Sequence, residues 1–201
     1  MNDWNPRIFN EEDPADLNTL YGQLSRIATN RAVYLSIKRM TEENKVPLNE
    51  LIANFISDGY NADLVLSVRR LVESNKDNKG KQKKPDKSVN SIMGLVEALN
   101  NAELISEVKS ISTSIGDAPN KIFGHNDFMF HSGEKVLNIE TYNTFDAAIK
   151  RLFNILSKAS LSQGIYLPDK LVATNQDDWA LAFDKPWRGK SFDDSDIWHE
   201  L

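Results

Sequence analysis

Apolar residues recur along most of this chain at intervals of three and four positions, the spacing that places them on one face of an α-helix. This pattern predicts five helical segments, at about residues 14–45, 48–74, 88–99, 102–112 and 141–161. Alternation with a period of two is confined to short pieces near residues 121–129 and 135–139. The sequence therefore predicts an all-α protein built as a helical bundle.

Residues at the ends of these segments predict where individual helices start. Pro14 suits the first turn of the first helix, with Asp13 before it as the N-cap. Ser88 is the expected N-cap of the third helix and Thr141 that of the fifth. The apolar spacing slips near Thr29, which predicts either one bent helix or two in tandem.

The helical pattern weakens at two glycines. Gly59 lies inside the second segment, where it is expected to break or kink the helix. Gly164 is expected to end the fifth helix, and no helical spacing follows it. We therefore divide the chain into a helical bundle at 1–163 and an irregular, tryptophan-containing, acidic segment at 164–201, which packs on the bundle or extends from it.

Length and composition exclude several classes of protein. A chain of 201 residues suits one domain, and the absence of cysteine excludes disulfides, thiolate metal sites and a cysteine nucleophile. No apolar run approaches a membrane span, and the acidic first 30 residues do not resemble a signal peptide. We therefore expect a cytoplasmic protein with no membrane partner and no cofactor.

The net charge of −5 is unevenly distributed. Residues 76–88 hold six lysines and two aspartates, and residues 176–201 hold seven acidic against three basic side chains. The lysine-rich stretch reads either as a solvated loop between helices or as an arm that contacts phosphates. On the second interpretation its candidate contacts are Lys79, Lys81, Lys83 and Lys84.

Candidate catalytic chemistry concentrates near His125, one of three histidines. In a helix, Lys121 and His125 would share a face, so that an imidazole and an ammonium group stand together. Such a pair suits RNA cleavage, because the imidazole can accept a proton from a ribose hydroxyl while the cation stabilises phosphate charge. A purely structural role for His125 remains the alternative. The nearby His131, Asp127 and Glu134 match no recognised metal-ligand spacing, so no metal is expected.

Five stretches of the chain together resemble a known family. These are NRAVYLSIKRM at 30–40, LVLSVRRLVES at 64–74, NKIFGHND at 120–127, TYNTFDAAIKRL at 141–152 and DDWALAFDKPW at 177–187. In this order they resemble uncharacterised bacterial proteins that carry a HEPN-like domain of the abortive-infection type. The resemblance implies a helical bundle, commonly dimeric, and a possible metal-independent ribonuclease of a defence or toxin-type system.

The same resemblance assigns roles to residues. His125 would be the general base, with Asn120 and Asp127 orienting groups or substrate. Lys121, or Arg69 or Arg70 from another helix, would stabilise the phosphate charge. In the second helical segment the neighbouring apolar positions face the core, so one of the two arginines is expected near the boundary of the bundle. It would lie within reach of His125 or pair with an acidic side chain such as Glu73 or Asp63.

One feature of the family is missing. Active HEPN proteins carry an Arg separated from the catalytic His by four to six intervening residues, whereas here these positions hold Asn120, Pro119 and Ala118. Lys121 lacks the planar fork with which Arg grips phosphate. The alternative prediction is therefore a catalytically inactive bundle that binds nucleic acid or a protein partner.

Overall fold

The computed structural model describes residues 7–43, 50–74, 90–116 and 139–171. Within these ranges the chain forms five α-helices and no β-strand, which confirms the all-α prediction. The helices are α1 (Leu20–Glu43), α2 (Glu50–Val72), α3 (Ile92–Ala98), α4 (Ala102–Ile115) and α5 (Ile139–Leu161). No helix in this part of the chain combines the length and hydropathy needed to cross a bilayer.

The helices pack around one apolar core. α1 lies against α2, and α5 contacts α1, α3 and α4, while α2 also contacts α3 and α4. The side chains that fill the centre come from every helix, and burial of each large apolar group stabilises the fold by about 1.5–3 kcal/mol. The fully buried ones are Tyr21, Phe145, Leu20, Leu24, Ile27, Leu64, Leu71, Ile92, Ile111, Leu152, Ile155 and Leu156.

The start of α1 differs from the prediction. Asp13 and Pro14 do not begin a helix, which starts only at Leu20. Asn10, Asp13 and Asp16 each accept a hydrogen bond from a backbone N–H two residues further on, and these side chains hold residues 10–18 in turns. The Thr19 hydroxyl then accepts from the N–H of Gly22 at 2.9 Å and caps α1.

Two other predicted N-caps are wrong. Ser91, not Ser88, caps α3: its hydroxyl accepts from the N–H of Gly94 at 3.0 Å and donates to the carbonyl of Glu73 at 2.6 Å. This pair of bonds fixes the start of α3 against the end of α2. Thr141 lies inside α5, since the helix already begins at Ile139.

Of the two glycine predictions, the one for Gly59 is wrong and the one for Gly164 is confirmed. α2 continues through Gly59 without a break, and α1 is a single helix through Thr29. Gly164 does terminate α5: with φ at +73° it donates to the carbonyl of Leu161, and Ile165 donates to that of Ser160. This pair of bonds is a Schellman motif, for which glycine is the preferred residue.

The chain after Gly164 returns to the bundle. Ile165, Leu167 and Leu171 are partly buried against the core. The buried Tyr21 donates from its hydroxyl to the carbonyl of Lys170 at 3.2 Å. The described beginning of the irregular segment is therefore packed on α1.

Candidate nucleic-acid interface

Arg69 and Arg70 occupy the last turn of α2, and both side chains are exposed. Neither forms an ion pair or a hydrogen bond with another described residue. Asp63, which sequence reasoning allowed as a partner, is held instead by Arg26 at 3.5 Å and by Asn30 at 2.7 Å. Two guanidinium groups are thus free to meet a ligand, at the helix end where positive charge is also favoured by the helix dipole.

Positive charge continues along the chain beyond this helix end. Glu73 offsets one of the two arginine charges, and residues 76–88 then add a net +4, so residues 69–88 carry a net +5. Most of this stretch, including Lys79, Lys81, Lys83 and Lys84, lies outside the described residues. The described helix end and the adjoining sequence together form the most basic stretch of the chain.

The predicted catalytic residues also lie outside the described part of the chain. Asn120, Lys121, His125 and Asp127 belong to the 22 residues, 117–138, that join α4 to α5. In the described residues no group of three or more His, Asp or Glu side chains is placed to hold a metal ion.

A cluster of three tyrosines joins α1, α2 and α5. Tyr34 and Tyr60 stack face to face, with ring centroids 4.2 Å apart and planes 8° from parallel. Tyr142 lies 6.2 Å from Tyr34 and 6.3 Å from Tyr60, and its hydroxyl donates to Asn61 Oδ1 at 2.6 Å. Such aromatic pairs add about 0.5–1.5 kcal/mol beyond the area they bury. The rings therefore fix the relative positions of the three helices.

Arg31 completes this cluster from α1. Its guanidinium lies 5.0 Å from the centroid of the Tyr142 ring and forms two parallel bonds to Asp146, at 3.0 and 2.9 Å. Burial alone would lower the pKa of Arg31, but these bonds and the carboxylate charge outweigh it and raise the pKa above its ordinary value. Arg31 is consequently held by Asp146, whose carboxylate balances its charge, and it is not a free cation like Arg69 and Arg70.

The hydroxyl of Tyr60 is buried and has no hydrogen-bond partner among the described residues. Burial raises the pKa of this phenol far above its ordinary value, and the positive charge of Arg31 offsets only part of that rise. The folded protein therefore keeps the Tyr60 phenol protonated at pH values where an ordinary tyrosine ionises.

An open groove lies beside these rings, between α1 and α2. Its volume is about 240 Å³, below the roughly 300–1,000 Å³ of sites for drug-sized ligands. The described residues that line it are Asn30, Val33, Tyr34, Ile37, Gly59, Tyr60 and Asp63. A Cβ atom added to Gly59 would meet nothing within 4 Å, so the absent side chain leaves part of this space open.

Sequence reasoning found the arginines at the end of α2 but missed this groove and the tyrosine cluster. The sequence pattern places Tyr60 on the apolar face of its helix, and no local motif marks Arg31 or Asp146. One local signal existed, because Tyr142 and Asp146 are four residues apart and so share a face of α5. The partners on α1 and α2 are distant in sequence and become visible only in the fold.

Comparisons with known proteins give no further assignment: no family model matches the chain, and no significant match is found among curated proteins or solved structures.

Proposed function

We propose that this protein binds RNA through the basic stretch that begins at Arg69 and Arg70, and that the segment around His125 cleaves the bound strand. The observation that carries the binding step is the exposure of both guanidinium groups without an ion pair among the described residues. Arginine recognises phosphate through a planar fork of donors, and neighbouring lysines add charge that follows the backbone.

The charge distribution supports local contact with RNA over general coating. The net charge of the whole protein, −5, disfavours general association with a polyanion, whereas residues 69–88 carry a net +5. Each phosphate neutralised by Lys or Arg releases counterions, with a slope of log affinity against log salt of about −0.7 per phosphate for single strands.

The cleavage step rests on the resemblance of the 120–127 segment to HEPN-like proteins. In the proposed reaction His125 accepts the proton of a ribose 2′-hydroxyl, whose oxygen then attacks the adjacent phosphorus. The bond from phosphorus to the 5′-oxygen breaks, which leaves a 2′,3′-cyclic phosphate and a 5′-hydroxyl that takes its proton from water. Lys121 stabilises the charge that develops on the phosphate, and Asn120 and Asp127 orient the groups. This chemistry needs no metal ion and no cofactor.

Binding is tested by titrating a labelled single-stranded RNA with the full chain at several salt concentrations. Reversing the charges of Lys79, Lys81, Lys83 and Lys84, or of both arginines, is expected to flatten the salt slope. Reversal of Lys109 and Lys150, which are exposed on α4 and α5, is the matched control and should leave the slope unchanged. Wild-type protein that binds no RNA even at low salt would refute the proposal.

Cleavage is tested with His125→Ala, which is expected to abolish cutting while the helical content and RNA binding persist.

The second candidate function, binding without catalysis, is favoured by the absence of the family's Arg before His125. It predicts that wild-type protein binds RNA in a salt-dependent manner and leaves it intact. If RNA is cut equally by wild type and His125→Ala, this residue is not the general base.

A further inference from the structure

The groove and the cationic end of α2 lie on one continuous face of the α1–α2 pair. Gly59, Asp63, Leu66 and Arg70 follow one another at i, i+4, i+7 and i+11, which places them in a single stripe along α2. All four are exposed or half-exposed, and Leu66 keeps 46% of its surface accessible. From the groove at Gly59 to Arg70 the helix rises about 16 Å.

A matching stripe runs along α1. Arg26, Asn30, Val33 and Ile37 have the same spacing and are at least partly exposed. Contacts of Arg26 with Ser67 at 3.0 Å and with Asp63 at 3.5 Å hold the two stripes side by side. The result is an elongated surface, apolar and grooved at one end and cationic at the other.

The chemistry of the groove favours a flat group with amine donors over an anion. Val33, Ile37 and the two stacked tyrosines supply apolar walls, and no unpaired cation lines the groove among the described residues. At its polar end the Asp63 carboxylate and the Asn30 side chain offer acceptors, and the charge of Asp63 is balanced by Arg26. Carboxylates and amides are the groups that read the amine edges of nucleobases.

We infer that this groove holds one base of a single-stranded RNA whose backbone runs along α2 to Arg70. The inference rests on the proposed RNA binding and adds a base-binding subsite to it. The small volume suits a single planar ring system, and the 16 Å spacing leaves room for a few nucleotides between the base and the arginines. Proteins that bind single strands commonly combine a basic surface that follows the phosphates with aromatic side chains that contact the bases.

Gly59→Leu provides the test, because its Cβ meets open space and leucine fills the groove without displacing the helix. Affinity is measured with an RNA of about 12 nucleotides and with the same backbone lacking its bases. Filling the groove is expected to weaken binding of the normal RNA about 10-fold and leave the base-free strand unaffected. Gly59→Ala is the matched control, expected within about two-fold of wild type, and circular dichroism checks that both variants are folded.

The outcomes separate the two proposals. If wild type binds RNA but Gly59→Leu binds it equally well, the groove is not a base subsite while the basic stretch stands. If Gly59→Leu weakens normal and base-free strands alike, the substitution acts on the backbone path, and the inference fails. If wild type binds neither strand, the proposed function itself fails. Charge reversal of Arg69 and Arg70 should weaken both strands, which identifies the phosphate contribution independently.

Discussion

Two glycines in helices of this protein should respond in opposite directions to the same substitution. A Cβ added at Gly22 would lie 2.1 Å from the carbonyl oxygen of Asp16 and 3.0 Å from the Thr19 hydroxyl. A Cβ added at Gly59 would meet no atom within 4 Å. Gly22→Ala and Gly59→Ala therefore form a matched pair in which backbone crowding is the main difference.

The magnitude at Gly22 follows from what must move. Relieving the contact displaces the Asp16 carbonyl by about 1 Å, and such crowding in packed structure costs about 1–3 kcal/mol. That carbonyl accepts from the N–H of Thr19 at 2.9 Å and from its hydroxyl at 2.7 Å, bonds worth about 1 kcal/mol each. Against this cost, alanine is more favourable than glycine in a helix by about 1 kcal/mol. If both bonds are lost, we expect Gly22→Ala to lower the free energy of unfolding by about 2–4 kcal/mol.

At Gly59 only the propensity gain remains, so Gly59→Ala should raise the free energy of unfolding by about 0.5–1 kcal/mol. Urea titration followed by circular dichroism measures both changes, and an unaltered m-value shows that the same two states are compared. If Gly22→Ala is as stable as wild type, the turn at residues 10–19 does not pack tightly against the start of α1. That result would refute the steric argument.

Three further predictions concern the tyrosine cluster. Tyr60→Phe should leave stability unchanged or raise it by up to about 1 kcal/mol, because the buried hydroxyl has no described partner; a clear loss of stability in urea titration would contradict this. Burial raises the pKa of Tyr60 above its ordinary 10.0, so the folded state holds the phenolic proton more tightly. The stability that this protonated phenol contributes is complete below about pH 10 and is lost as the pH rises further. Comparing the free energies of unfolding of wild type and Tyr60→Phe, measured by urea titration at pH 9 to 11, isolates this pH-dependent contribution. A double-mutant cycle with Arg31→Met and Asp146→Asn should give a coupling of about 1–2 kcal/mol, since the bidentate pair is partly buried; additive effects would show that the pair contributes nothing.

The sequence was sufficient for the helices because each apolar face is a local pattern. Leu64, Val68 and Leu71 are buried as their spacing predicts, and α4 begins at Ala102 as expected. The expected start of α1 at Pro14 failed for an equally local reason. Asx turns at Asn10 and Asp16 compete with helix formation, and periodicity alone does not weigh that competition.

The sequence identified the arginines of the candidate interface but not its groove. The apolar positions around Arg69 and Arg70 on α2 predict that one of the two lies near the boundary of the bundle, whereas both are exposed in the structure. The groove cannot be predicted from the pattern of one helix, because it depends on how α1 lies against α2 and on the stacking of Tyr34 on Tyr60, 26 residues away. Contacts between separate helices are set by the packing of the whole bundle, and a single sequence does not state which faces meet.

The proposed RNA binding would combine contributions that differ in their response to salt. The basic stretch from Arg69 would supply an electrostatic contribution, which falls steeply as salt rises. The tyrosine-walled groove would supply stacking and hydrogen bonding to a base, which salt screens only weakly. Binding through both should therefore weaken with salt but retain a residual affinity that depends on the bases. Binding through the basic stretch alone should disappear at high salt and should not depend on the bases. The salt dependence of binding to the normal and the base-free strand therefore distinguishes these arrangements even without a variant.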